Sequence, residues 1–238
     1  MISANPPYST ARSIQLTAQD NADSARKALD AAPAGAVAAE PEVAISSLAG
    51  RLSRAAGVSG SANSGLSRNA LAAKVQANID VILYPLDDEH KAAAAREVPE
   101  PNDALSAASA SAATAYVDDT SKPNPFAGLS REQLSTISND ESGTFTINEK
   151  RAAFMQAYDE EQAWRRKVVE QASREWEETG KQTEFFKQVR AHFLELPQLE
   201  QVLYPANYAN DLAAKIGMDA GIQGPPAAAS LRAAAFPA

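Results

Sequence analysis

"TINEKRAAFMQAYDEEQAWRRKVVEQASREWEETG", Thr146 to Gly180, decides the fold. Phe154, Tyr158, Trp164, Val168 and Trp176 fall mostly on one face of a helix, while "EEQAWRRK" and "REWEE" supply charge to the other. The pattern predicts one long helix from near Ile147 to Thr179, with Gly180 as its C-terminal stop.

Downstream, "TEFFKQVRAHFLEL" predicts a helix capped by Thr183, with Phe186, Val189 and Phe193 facing inward. "LPQLEQVLYP" and "NYANDLAAKIG" predict two more short helices. Upstream, "LSREQLSTI" reads as a short helix capped by Ser130, and "DDTSKPNPFAG" as a boundary. "LSRNALAAKVQANIDVILYP" predicts a helix capped by Ser67, striped by Leu71, Val75, Ile79 and Ile82, and ended by Pro85. "PEVAISSLAGRLSRAAG" places Ile45, Leu48 and Leu52 at helical spacing, with Gly57 as the stop and "GVSGSANSG" as a flexible connector. "NDALSAASASAATAYV" is a helix poor in packing side chains. No segment reads as a strand, so the expected fold class is all-α.

The expected organisation has four parts. Residues 1–40, rich in Ala, Ser, Pro and Asn, form a disordered segment, because so little apolar surface cannot offset ordering entropy. Residues 41–123 form a loosely helical, Ala/Ser-rich region with flexible linkers. Residues 124–217 form a compact helical domain, and 218–238 a disordered tail.

Composition narrows the function. The 238-residue chain carries a net charge of −8 and no basic run, which argues against nucleic acid or an anionic membrane as partner. It has no cysteine, which excludes disulfides and thiolate chemistry, and only two histidines, His90 and His192. No apolar run approaches the roughly 18 residues of a membrane span. The opening residues lack a basic start followed by an apolar core, so the expected location is cytoplasmic. Export by a type III-like route that reads a Ser/Ala-rich N-terminus is the alternative. The chain has no G-x-S-x-G elbow, P-loop or G-x-G-x-x-G motif, and the expectation is a protein that is not an enzyme.

"SNDESGTFTINE", Ser138 to Glu149, is the one stretch with the spacing of a chemical site. With Gly143 at position 6 of a calcium-binding EF-hand loop, Ser138 is position 1, Asp140 position 3 and Ser142 position 5. Thr144 then offers its carbonyl at position 7, Phe145 takes the apolar position 8, and Glu149 falls at position 12. Aspartate belongs at position 1, so only Asp140 and Glu149 bring charge, and calcium binding through this set is expected to be weak. No second loop of this form occurs to pair with it. A second reading uses the same residues without metal: Thr146 and Glu149 make a T-x-x-E capping box, and Gly143 makes the turn.

Other candidates read as structure. Trp164, Trp176, Phe185 and Phe186 are expected in a core rather than on an aromatic binding surface. His192, near Glu195 and Glu200, fits a solvated helix face better than a metal site or a general base. "DDEH", 87–90, is an acidic helix start.

Four stretches, "ISSLAGRLSRAA" (45–56), "NPFAGLSREQL" (124–134), "DESGTFTINEKRAAF" (140–154) and "EEQAWRRKVV" (160–169), resemble a family of uncharacterised proteobacterial helical proteins common in pseudomonads. That family shows a D-x-[SG]-G-x-F-T-x-N-E loop, and Lys150 stands here where its first arginine is usual. The resemblance covers roughly half the chain and implies a variable N-terminal part but no particular activity. The functional expectation is therefore a non-enzymatic helical interaction or regulatory protein with a protein partner. A weak calcium sensor or calcium-stabilised module is the alternative.

The capping reading makes a prediction that needs no metal. Thr146→Ala should cost about 0.5–2 kcal/mol in chelator-treated protein, read from urea melts.

Overall fold

The computed structural model describes residues 41–218, and these are helical, with no strand among them. The expectations for 1–40 and 219–238 lie outside the described residues. The elements are α1 (Pro41–Asn63), α2 (Arg68–Leu83), α3 (Asp88–Ala94) and α4 (Ala104–Asp118), followed by α5 (Arg131–Ser138) and α6 (Ile147–Thr179). The last three are α7 (Thr183–Glu195), α8 (Gln198–Gln201) and α9 (Tyr208–Gly217).

Helix α6 is the spine, about 50 Å long at 1.5 Å per residue. It has the predicted limits, with Thr146 as N-cap and Gly180 at φ 66° closing it in the left-handed conformation. Helices α2, α4, α5 and α7 pack directly on it, while α9 packs on α7 and α8 on α2. One core gathers Leu52 and Ala55 of α1, Ala113 and Tyr116 of α4, and Phe126 and Leu129. It continues through Leu134 and Ile137 of α5 and Phe145 to Ala152, Ala153 and Ala157 of α6. A second core at the far end of the spine joins Val168 and Ala172 to Phe185, Phe186, Val189 and Leu212. In a third, Leu71, Val75 and Ile79 of α2 meet Val202, with Phe154 packed against them.

The first core crosses the boundary drawn at residue 124, so the Ala/Ser-rich helices pack against the compact part and share its interior. Helix α4 shows how. Its inner face is Ser106, Ala110, Ala113 and Tyr116, and α6 offers Ala152 and Ala153, all buried. The lack of bulk that made this helix look poor at packing lets the two backbones approach closely.

Two local readings are corrected. Gly57 does not end α1, which continues through the expected flexible connector to Asn63. Serine and asparagine side chains fasten this extension: Ser61 Oγ donates to the Gly57 carbonyl at 3.0 Å, and Asn63 Nδ2 to Ser59 Oγ at 3.0 Å. Lys74 Nζ of α2 reaches Asn63 Oδ1 at 2.8 Å, and a glycine costs only about 1 kcal/mol inside a helix. The turn falls instead at Gly65, whose φ is 80°. Ile45, expected in the apolar stripe of this helix, lies outside the described side chains.

Thr183 does not cap α7, which begins at that residue behind Gln182 without a side-chain cap bond. The orphan N–H groups of Glu184 and Phe185 donate to the Glu175 carboxylate of α6, at 2.9 and 3.0 Å. A tertiary carboxylate replaces a local hydroxyl.

Candidate functional site

Both helices that flank the loop between α5 and α6 start with a capping box. Ser130 and Gln133 close the start of α5, and Thr146 and Glu149 close the start of α6. Gly143, at φ 75°, makes the turn between them in a conformation that side chains with a Cβ disfavour. Asp140, only 1% exposed, organises the loop backbone. Its Oδ2 accepts from the Phe145 N–H at 2.9 Å, and its Oδ1 accepts from the Ser142 N–H at 2.9 Å and from the Ser142 hydroxyl. That hydroxyl also pairs with Thr144 Oγ1.

Glu149 is fully buried. Its Oε2 accepts from the Thr146 N–H at 2.9 Å, and its Oε1 accepts from Ser109 Oγ of α4 at 2.6 Å. The dominant partner is Arg51 of α1, whose Nη2 lies 2.8 Å from Oε1 and 2.9 Å from Oε2. The same Nη2 donates to the Thr144 carbonyl at 2.9 Å. The guanidinium sits 4.2 Å from the centroid of the Phe145 ring, which Phe126 supports edge-on at 6.3 Å.

The expected ligand set is therefore divided. Asp140, Ser142 and the Thr144 hydroxyl form one hydrogen-bonded chain. The Thr144 carbonyl and the Glu149 carboxylate, positions 7 and 12, converge on Arg51. Ser138 turns away: its Oγ donates back to the Ser135 carbonyl at 3.2 Å, and its own carbonyl accepts from Asn78 Nδ2 of α2 at 2.8 Å.

Sequence reasoning about the loop missed Arg51 and Ser109, which come from helices α1 and α4. Arg51 did leave a signal. Leu48, Arg51, Leu52 and Ala55 share one helix face, so a cation stands inside an apolar stripe.

A second charged cluster forms at the middle of α6. Glu161, 3% exposed, accepts from His192 Nε2 of α7 at 2.8 Å and from Arg165 Nε at 2.9 Å, with Arg131 Nη2 at 3.7 Å. Arg131 also holds Glu200, with its Nη2 at 2.7 Å from Oε2. The imidazole of His192 stacks on Trp164 with centroids 3.7 Å apart and planes 13° from parallel. His192 is thus half-buried against α6 rather than solvated, and its partner is Glu161 rather than Glu195 or Glu200. Burial raises the Glu161 carboxyl, but the His192 hydrogen bond and charge, the Arg165 hydrogen bond and the Arg131 charge outweigh it and bring it down to about 2. Burial pushes the neighbouring Tyr204 and Tyr208 hydroxyls up.

Of the four aromatic candidates, Phe185 and Phe186 are buried and Trp164 packs on their core, while Trp176 is half-buried and outside that core. At "DDEH", Asp87 caps α3 by accepting from the His90 N–H at 3.0 Å. Among the described residues no group of three or more histidines, cysteines or acids is arranged to hold a metal ion. None of the described helices is long and apolar enough to cross a membrane. Comparison with known protein families, with curated proteins and with solved structures found no match.

Two predictions test these clusters. Arg51→Met strands a buried carboxylate and should cost roughly 3–5 kcal/mol in urea melts, whereas adding Glu149→Leu should cause little further loss or recover stability. The second concerns acid. Glu161 titrates at about 2 when folded against an ordinary 4.5, so its contribution is full above pH 4.5 and is lost as pH falls toward 2. That drop is roughly 3 kcal/mol at 1.36 kcal/mol per pH unit. Urea melts between pH 6 and 2 should show it in the parent and not in Glu161→Gln.

Proposed function

We propose that this chain is a non-enzymatic helical interaction protein whose EF-hand-like loop is a structural joint closed by an arginine. One observation carries the reading: a single guanidinium nitrogen holds both the Glu149 carboxylate and the Thr144 carbonyl. An EF-hand would turn these two oxygens toward calcium. A calcium ion there would have to displace a buried cation, and the remaining charged ligand, Asp140, is already spent on backbone N–H groups.

The other titratable cluster supports the same reading. Glu161 is committed to His192, Arg165 and Arg131, and one face of the imidazole is covered by Trp164. The surface adds apolar material for a protein partner. Val81 in the last turn of α2 and Tyr84 just past its end are 62% and 64% exposed, and Leu86, two residues on, is exposed too.

Two measurements on the full chain test the proposal. Isothermal titration and thermal melts with calcium up to about 10 mM, some ten times the weakest EF-hand dissociation constants, should show no heat and no shift in Tm. A calcium-dependent rise in Tm would replace the joint with a calcium-stabilised module. Affinity capture with the full chain should recover the same protein partner reproducibly and lose it with Val81→Asp/Tyr84→Asp. Recovery of none would overturn the interaction reading.

A further inference from the structure

The stretch "IDVILYPL", Ile79 to Leu86, is more apolar than one helix face can bury. Ile79 and Ile82 are buried, and Leu83 packs at the edge of the third core. Val81, Tyr84 and Leu86 are left outside and join none of the three cores. Their backbone is nevertheless held in place. The Ile82 carbonyl accepts from Arg151 Nε at 2.7 Å, the Tyr84 N–H donates to the Asp80 carbonyl at 2.9 Å, and Asp87 caps α3 just beyond Leu86. Exposed apolar residues standing singly, as Tyr158 and Leu194 do, are ordinary on a protein surface. Three within the six positions 81–86 make a surface of their own.

Charge decides what covers it. Asp80 precedes Val81, and Asp87, Asp88 and Glu89 follow Leu86, with Lys91 the one lysine or arginine between 80 and 91. All four acids are exposed. Asp87 is taken by His90 at 2.7 Å and Asp80 by Gln76 Nε2 at 3.1 Å, but Asp88 and Glu89 form no ion pair among the described residues. A second copy of the chain would bring the same carboxylates against these, and nucleic acid or an anionic membrane would bring phosphates, so each of those occupants is repelled. A protein segment with lysine or arginine beside apolar side chains matches both parts of the surface.

We infer that Val81, Tyr84 and Leu86, bordered by the carboxylates of Asp80, Asp88 and Glu89, form the docking surface for a basic amphipathic segment of a partner protein. This rests on the interaction reading and names the chemistry of the partner. Tyr84 supplies a broad, rigid contact whose ring attracts a guanidinium or ammonium group, and Val81 and Leu86 extend its apolar area. The carboxylates steer the approach and reject acidic segments.

The test uses the full chain and a fluorescent peptide of leucine and lysine, about 14 residues or four helical turns long, with its leucines on one face. Anisotropy should show saturable binding that weakens at least ~10-fold between about 50 and 500 mM salt. The same peptide with glutamate in place of lysine should bind at least ~10-fold more weakly, a comparison made on the parent protein and independent of any variant's folding. Val81→Ala/Tyr84→Ala should weaken the lysine peptide at least ~10-fold. Asp88→Asn/Glu89→Gln should weaken it about 5-fold at low salt and flatten the salt dependence. Asp159→Asn/Glu160→Gln, an acidic pair beside the exposed Tyr158, should leave its affinity unchanged. No saturable binding would overturn the docking surface, as would equal affinity for the glutamate peptide or an equal loss with the Asp159 and Glu160 pair. Partner capture separates the two readings. A partner lost with Val81→Asp/Tyr84→Asp but kept with Asp88→Asn/Glu89→Gln and in about 500 mM salt would remove this inference alone. Peptide binding with no partner recovered would remove the interaction reading and leave a surface selective for basic amphipathic segments.

Discussion

The buried pair of Arg51 and Glu149 is the constraint around which the N-terminal half of the fold is arranged. Removing two charges from water costs several kcal/mol per ion even after relaxation, and only a complete set of partners offsets it. The neighbouring features supply most of them, the buried Arg51 Nε alone being left without a hydrogen bond. The Gly143 turn presents the Thr144 carbonyl, the Thr146 cap presents its own N–H, α4 brings Ser109, and Phe145 lies against the guanidinium. Moving any of these by one residue would leave a buried polar group unpaired. The pair therefore fixes the register of α1 and α4 on α6 more than it strengthens the whole.

Packing around the pair follows from small side chains. Ser109 can reach Glu149 because α4 lies close against α6, and it lies close because Ala113 faces an alanine surface. At the other end of the spine the logic reverses. There Phe185, Phe186 and Val189 fill the space against Val168 and Ala172, with Trp164 packed beside them, and the helices are held by bulk. One continuous helix thus carries a close-approach end and an aromatic end, with the Glu161 cluster between them.

Local physics is what the sequence made legible. The limits of α6, the caps at Ser67, Ser130 and Thr146, and the α2 stripe of Leu71, Val75, Ile79 and Ile82 all follow from residues a few positions apart, and all are seen. Failures came where a distant residue overrode a local cue. Gly57 was outweighed by side-chain bonds and by Lys74 of α2, and Glu175 of α6 took over the capping expected of Thr183. The Thr146–Glu149 capping box and the Gly143 turn were legible in the loop, but Arg51 lies 98 positions from Glu149. Of the oxygens that the spacing aligned, only the Thr144 carbonyl and the Glu149 carboxylate converge, and spacing said nothing about which cation meets them. His192 was misread for the same reason, since its partner Glu161 comes from another helix, 31 positions away.

The two buried glutamates of α6 share a design that links these observations. Each is met by an arginine from an earlier segment: Glu149 by Arg51, and Glu161 by Arg131 at its longer 3.7 Å separation. Arginine serves the two places differently: the planar fork of Arg131 spans the Glu200 carboxylate and the Ala157 carbonyl, whereas Arg51 brings one nitrogen to Glu149 and Thr144 and lays its guanidinium over the Phe145 ring. At Arg131 a lysine would offer a single strongly hydrated point and leave one acceptor unmet. The spine thus presents carboxylates at two heights, and the preceding helices are registered on it by matching cations. Apolar contacts alone would tolerate a slip of one turn along an alanine face, because neighbouring alanines are nearly equivalent. Buried charge pairs do not tolerate it, since a slip strands an ion. In a chain so rich in alanine, this electrostatic register is what makes the docking of α1, α4 and α5 on α6 unique.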